Sequence, residues 1–224
     1  MSAIVGSRRR DREWPLWLRG VRRIVRGALR LAFRFRVRGA DHVPLRGPVL
    51  LVANHASHLD PPLIGCASPR WTAYLARSTL FAPRGFGALI RILGAVPIER
   101  DSTGLGGIRT TLAVLDADGT IVVFPEGTRT TDGRAGELRG GFVTIARRSA
   151  APIVPVWVEG SFAAFPRGAR FPRPRPISVS FGHAFRVPDD ADERAVIEIV
   201  EKQWAALAER RPIPAPGGQY PSGA

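Results

Sequence analysis

The chain has 224 residues, 45% of them hydrophobic, which suits one folded domain with a sizeable core and short extensions. The single cysteine, Cys66, excludes an internal disulfide and a cysteine-based zinc site, and it is at home in a reducing compartment. The formal net charge is +14 and all 33 basic residues except Lys202 are arginine, a bias that a GC-rich coding genome also produces.

The charge is unevenly placed. Residues 1–46 hold thirteen arginines against Asp11, Glu13 and Asp41. From Trp14 to Phe35 this arm has helical periodicity. At about 100° per residue, Arg19, Arg22, Arg23, Arg26, Arg30 and Arg34 share an arc of roughly 120°. Trp17, Val21, Ile24, Val25, Ala28, Leu31, Ala32 and Phe35 lie opposite. An apolar face bearing Trp and Phe beside an arginine face suits the surface of an anionic bilayer, with Trp14, Trp17, Arg22, Arg23, Arg26 and Arg30 as the contacts. Six arginines in so short a stretch exclude a membrane span. The plainer reading is a helix docked on its own domain with its charges in water, and the two are compatible. Arginine interrupts the apolar positions and no small-residue cleavage site follows, which argues against a signal peptide. The ordered apolar face argues against a nucleic-acid arm.

Phe35 to Gly39 reads as an edge strand, followed by a turn near His42 and Pro44, with His42 a surface histidine without a visible partner. Val49 to Ala53 is a buried strand that ends in a polar cluster, Asn54 to Asp60. Pro61 to Cys66 is a short helix opened by proline, with Cys66 a small core residue. Trp71 to Ala76 is a strand, Leu80 to Leu93 a helix, and Gly94 to Arg100 a strand ending in a charged pair. Gly104 to Gly107 reads as a flexible loop before a helix over 108–115, since no nucleotide-binding fingerprint accompanies it.

Thr120 to Phe124 is a second buried strand ending in a polar cluster, Pro125 to Arg129. Thr130 to Gly140 is a surface loop, Phe142 to Arg148 a helix, and Ile153 to Val158 a third apolar strand whose Pro155 marks an edge or a bulge. Phe165 to Pro176 is a stiff loop of prolines and arginines. Ile177 to Phe181 is an alternating strand, and His183 after it is structural. Asp189 or Asp190 caps a last helix reaching about Arg210, and the Pro/Gly-rich tail from Pro212 is disordered. Strands alternating with helices specify an α/β fold. Three segments follow: a basic arm over 1–35, a domain over 36–210 and a tail over 211–224.

Strand ends are where α/β folds place chemistry. Alone, His55 five residues before Asp60 is more often a satisfied structural pair. The company it keeps changes that. Asn54-His55-Ala56-Ser57-His58-Leu59-Asp60 resembles the N-H-x4-D box of the glycerolipid acyltransferases, in particular the 1-acyl-glycerol-3-phosphate acyltransferases. Phe124 to Arg129 matches that family's F-P-E-G-T-R box in full. Gly94 to Arg100 resembles its intermediate G-x-x-F-I-x-R box, with Pro97 in place of the aromatic residue. Ile153 to Val156 resembles its apolar-proline box. Order and spacing also agree, and the resemblance runs from about Phe35 to Phe185.

The resemblance implies a mixed sheet flanked by helices, and acyl transfer from acyl-CoA or acyl carrier protein to the 2-hydroxyl of 1-acyl-glycerol-3-phosphate. It implies His55 as general base, Asp60 as its orienting partner, no acyl-enzyme, and neither a metal nor a bound cofactor. Arg100 and Arg129 are candidates for the acceptor phosphate, because guanidinium meets phosphate oxygens bidentately. Glu126, Gly127, Thr128 and Arg139 complete the acceptor site; Arg139 stands where the family often has a lysine. That departure and Pro97 bear on the acceptor, which could also be glycerol-3-phosphate or a lyso-aminolipid. Ser57 would suggest a Ser–His hydrolase, but the G-x-S-x-G elbow is missing. The expected partners are an anionic membrane surface, a lysophospholipid and the acyl donor, with no nucleic acid. The expected place is the cytoplasmic face of the cell membrane, held peripherally. The reading from another class is a non-catalytic basic membrane or nucleic-acid binder on the same fold.

Overall fold

The computed structural model describes residues 16–98 and 104–210. Trp14, Glu99, Arg100 and the tail from residue 211 lie outside them. Seven strands form one sheet: β1 (Arg36–Arg38), β2 (Val49–Ala53), β3 (Thr72–Arg77), β4 (Ala95–Ile98), β5 (Thr120–Val123), β6 (Ile153–Glu159) and β7 (Ser178–Phe181). Their order is β1-β7-β6-β2-β5-β3-β4. Every neighbouring pair is parallel except β6 and β7. The helices are α1 (Leu16–Phe33), α2 (Asp60–Ala67), α3 (Arg84–Ile92), α4 (Leu105–Asp116), α5 (Gly141–Ser149), α6 (Ser161–Ala164) and α7 (Glu193–Ala208).

A strand covered on both faces needs apolar residues on both, and β2 has them. Val49, Leu51 and Ala53 enter a core shared with α2 and α3, through Leu63, Ile64 and Ile90. Leu50 and Val52 enter a second core with Leu115 of α4, Phe142 of α5 and Trp204 of α7. The result is a mixed sheet between two helical layers. β2 and β5 lie side by side in register, Val52 opposite Val123, so both point their C-terminal ends at the same place. The polar clusters that follow them therefore meet, although some 70 residues of chain separate them.

Several expectations change in three dimensions. The glycines at 106 and 107 belong to the first turn of α4, not to a loop. Thr110 and Thr111 donate their hydroxyls to the carbonyls of Gly106 and Gly107, and Gly107 is buried. β6 is interior, not an edge. Pro155 is tolerated because its nitrogen faces β7 just where β7 ends. The pairing slips there by one residue on the partner side, from Val156 with Phe181 to Ile153 with Phe185. The last helix is capped by Asp192, not Asp189 or Asp190, its carboxylate accepting from the Ala195 N–H at 2.7 Å. His42 does have partners: its Nδ1 meets the Phe181 carbonyl at 3.0 Å and its ring stacks on His183 at 4.1 Å. Cys66 is buried, and burial pushes its thiol pKa up.

α1 docks on the domain through residues of both its faces. Leu29 and Phe33 pack against the core, and Arg22 donates to the Ser68 carbonyl at the end of α2. Phe35 lies beyond the helix and is itself core, 3% exposed. Much of the apolar face looks outward: Ile24 is 74% and Leu31 89% exposed. No described helix is long and apolar enough to cross a membrane.

At the opposite end of the sheet from the polar clusters, Arg70 is 2% exposed and had no signal in the sequence. Its guanidinium donates to the carbonyls of Pro44 and Gly47, at 2.9 and 2.8 Å, and of Asp118 at 2.9 Å. It thus ties the turns that feed β2 and β5. Arg70→Leu should lower stability by about 3 kcal/mol or more and Arg70→Lys by roughly half that, measured by urea unfolding. A lysine variant as stable as wild type would show that the guanidinium fork is not the tie.

Candidate active site

His55 follows the end of β2 and Asp60 opens α2, so the loop between them must turn back on itself. Asp60 closes that turn. Its Oδ2 accepts from the N–H groups of Ala56 and Ser57, both at 2.7 Å, and lies 2.9 Å from His55 Nδ1. Asp60 is fully buried, while the His55 side chain keeps 19% of its surface. A carboxylate already holding two donors accepts from the ring, so in the neutral imidazole Nδ1 carries the hydrogen and Nε2 keeps the lone pair. The ring stacks on Phe124 at 4.0 Å, which fixes its plane. A partly exposed imidazole, aimed by a buried carboxylate with Nε2 bare, can take a proton from a bound hydroxyl.

Asn54 and Ser57 fasten the frame. The buried Asn54 amide makes a two-way bridge to the backbone of Val158, 3.0 and 2.7 Å, pinning the end of β2 to β6. Ser57 is fully buried and donates its hydroxyl to the Phe165 carbonyl at 2.8 Å, so its proton is committed elsewhere than to His55. A Ser–His nucleophile is thereby disfavoured on geometry.

The second cluster wraps round the first. The His55 N–H donates to Glu126 Oε1 at 2.8 Å, and the Thr130 N–H donates to the His55 carbonyl at 2.9 Å. Glu126 Oε2 accepts from the Gly136 N–H at 2.9 Å. Glu126 thus acts within the protein, on both loops. Gly127 has φ +71°, and a Cβ there would stand 3.3 Å from the Arg139 guanidinium, so this turn suits glycine and nests Arg139 against it. Thr128 and Arg139 are exposed and Arg129 half-buried. Burial and then the like charge of Arg167 hold the Arg129 guanidinium below its ordinary range; Asp60 opposes this and Arg77 adds to it. Arg129 thus feels the charges of Asp60, of Arg77 at the end of β3 and of Arg167 in the loop after α6.

The structure accordingly brings His55, Asp60, Glu126, Gly127, Thr128, Arg129 and Arg139 to one end of the sheet. Arg100 and Trp14 lie outside the described residues. Arg22 and Arg26 of α1 face the domain, whereas Arg23 and Arg30 are exposed. Sequence reasoning missed Arg77, and saw Arg167 only as one arginine of the stiff basic loop over 165–176. Arg77 ends a strand beside β5, and that position was the only available signal.

Glu126 is 7% exposed, and burial pushes its carboxyl above the usual range against the two N–H bonds that favour the charged form. The folded chain therefore holds this proton more tightly than the unfolded chain. That contribution is present below about pH 4 and fades as pH rises through the folded value. Glu126→Gln cannot titrate and offers one acceptor oxygen for two N–H groups. It should be less stable than wild type by about 1–3 kcal/mol in urea unfolding, with the gap narrowing from pH 4 to pH 7. A gap that widens with pH would contradict this account.

The Acyltransferase family model matches residues 34–159, which include both polar clusters and the strands that carry them. A 1-acyl-sn-glycerol-3-phosphate acyltransferase of Cocos nucifera is 30% identical over 166 residues, covering 73% of this chain and 54% of the relative. One from Bacillus subtilis is 28% identical over 126 residues, covering 56% of this chain and 62% of its own. This chain spans about half the length of the curated plant relatives it matches. The crystal structure of the 1-acyl-sn-glycerophosphate acyltransferase PlsC from Thermotoga maritima is similar, with a TM-score of 0.75 and 25% identity. That likeness covers 86% of this chain and 78% of the other. The match over more than half its length, on the same fold and with both strand-end boxes inside it, makes this chain a member of the acyltransferase family.

Proposed function

We propose that the chain transfers a fatty acyl group from a thioester donor, acyl-CoA or acyl carrier protein, to the 2-hydroxyl of 1-acyl-glycerol-3-phosphate at a membrane surface. The observation that carries this reading is His55, held at Nδ1 by Asp60, with its carbonyl bonded to the Thr130 N–H next to Arg129. The acceptor hydroxyl lies against Nε2 and its phosphate against Arg129, with Arg77 and Arg167 adding charge. His55 removes the hydroxyl proton as the oxygen attacks the thioester carbonyl. The tetrahedral intermediate then collapses, the C–S bond breaks, and the protonated His55 returns the proton to the departing thiolate. Asp60 stabilises the imidazolium between the two steps and keeps the ring in place. The relatives' names support the acceptor; the donor rests on the chemistry alone.

The membrane reading has its support in α1. A helix that fastens Arg22 to its own domain while leaving Ile24 and Leu31 in solvent presents an apolar stripe suited to a lipid surface. Acceptor and product are both lipids, so such a surface is where they are met.

With purified protein and lysophosphatidate, His55→Ala should lower kcat by about 10²–10⁴-fold with an unchanged circular dichroism spectrum. Asp60→Asn should fall in the same range. Wild-type turnover by His55→Ala would overturn the proposed base. Arg129→Ala should raise KM for lysophosphatidate about tenfold or more but leave an unphosphorylated monoacylglycerol acceptor unaffected, which competition between the two acceptors reads directly. Ile24→Glu with Leu31→Glu should release the full chain from vesicles without lowering its unfolding midpoint, since both positions are already exposed. Undiminished co-sedimentation with vesicles would remove α1 from the membrane account.

A further inference from the structure

Away from the His55 site, between α1 and the edge strand β1, lies a groove of about 310 Å³ lined by Arg26, Arg30, Phe35, Arg36, Val37 and Arg38. Four of its six lining residues are cations and none is an acid. Among the described residues, none of the four is held by a carboxylate. Rigid structure keeps them together. Arg36 and Arg38 pair with Ser178 and Ser180 of β7, and the end of α1 is stitched to the same edge where the Ile177 N–H donates to the Phe33 carbonyl at 2.9 Å. Phe35 is buried and Val37 half-buried beneath them. Burial, and after it the neighbouring charge of Arg30, holds the Arg26 guanidinium below its ordinary range.

Four guanidinium groups gathered without a counter-charge repel one another, and a multiply charged oxyanion removes that repulsion while taking several of their N–H groups. The surroundings narrow the source of the anion. The same helix that supplies Arg26 and Arg30 exposes Ile24 and Leu31. A free anion needs no such neighbour, whereas a phospholipid does. One wall of the groove also lies level with the end of the sheet that carries His55: Arg36 pairs with Ser178, which pairs with Glu159, next to the Val158 that Asn54 grips.

We infer that the groove between α1 and β1 binds the phosphate of an anionic phospholipid head group, seating the chain on the membrane at a point separate from the acceptor site. The inference rests on the membrane reading of α1 but adds β1 to it, and β1 lies outside the amphipathic arm. A bound head group there fixes which side of the domain meets the bilayer, and so holds the His55 end close to lipid acceptors.

The test uses the full chain and phosphatidylcholine vesicles with or without phosphatidylglycerol. Arg36→Gln with Arg38→Gln should weaken binding to the anionic vesicles about tenfold or more. Arg109→Gln with Arg148→Gln, an equal loss of charge at exposed positions on the α4 and α5 face, should weaken it by no more than about threefold. Equal losses from the two pairs, or no loss from the first, would overturn the site in favour of diffuse attraction. A titration followed through arginine side-chain NMR signals settles the source. Dihexanoyl-phosphatidylglycerol should shift the signals lost in Arg36→Gln and Arg38→Gln at concentrations where inorganic phosphate does not. Equal shifts by phosphate would assign the groove to a free anion and overturn the lipid assignment. Acylation of detergent-dispersed lysophosphatidate by the wild-type chain reports on the proposed reaction alone, so failure there leaves the vesicle result standing.

Discussion

One oxygen, Oδ2 of Asp60, holds the site. It takes two backbone N–H groups from the loop behind it and the imidazole in front. The backbone donors hold the carboxylate still, and the burial of the residue keeps water from competing for it. The consequence reaches the far side of the ring: with Nδ1 occupied as donor, the neutral ring has its lone pair on Nε2, the nitrogen proposed to act as base. A carboxylate free in solvent would orient the ring far less well, and a neutral amide in its place could present the wrong atom to Nδ1.

The rest of the fold brings partners to that oxygen. Parallel pairing of β2 with β5 sets the second polar cluster beside the first, and the links between them run through backbone as much as side chain. His55 gives its N–H to Glu126 and its carbonyl to Thr130, so the base is held at its main chain as well as its ring. Glu126 in turn carries the loop at Gly136. A carboxylate from a box that resembles a substrate site thus spends both oxygens on holding the frame. The charge proposed to face the substrate is instead that of Arg129, which feels the charges of Arg77 and Arg167 from two other parts of the chain.

What could be read from the sequence had a local or periodic signature. β2 and β5 are covered on both faces, so they appear as uninterrupted apolar runs, and the polar clusters at their ends stand out by contrast. The N-H-x4-D spacing is itself local: five residues are what the backbone needs to turn the carboxylate back on the ring. Long-range partners had no such signature. Arg70, Arg77 and Arg167 are three arginines among many, distinguished only by what the sheet brings near them. Pro155 was half legible: the bulge it suggested is there, as the one-residue slip against β7, but the edge it equally suggested is not, since proline in an apolar run signals a missing ladder bond without saying how. The cap of α7 shows the limit of spacing among near equivalents: Asp189, Asp190 and Asp192 all suit a helix start, and tertiary packing chose Asp192. In α1 the two faces were legible, but not which residues would dock it on the domain. Fastening Arg22 to α2 and burying Leu29 and Phe33 turned the apolar stripe outward.

The central claim concerns a single hydrogen, the one on His55 Nδ1. Nitrogen-15 NMR of the imidazoles at neutral pH, with the His55 signal assigned by its loss in His55→Ala, reads that hydrogen directly. Wherever the His55 ring is neutral, Nδ1 should be the protonated nitrogen and Nε2 the bare one, and this pattern should collapse in Asp60→Asn. A His55 ring protonated at Nε2, with Nδ1 bare, would contradict it.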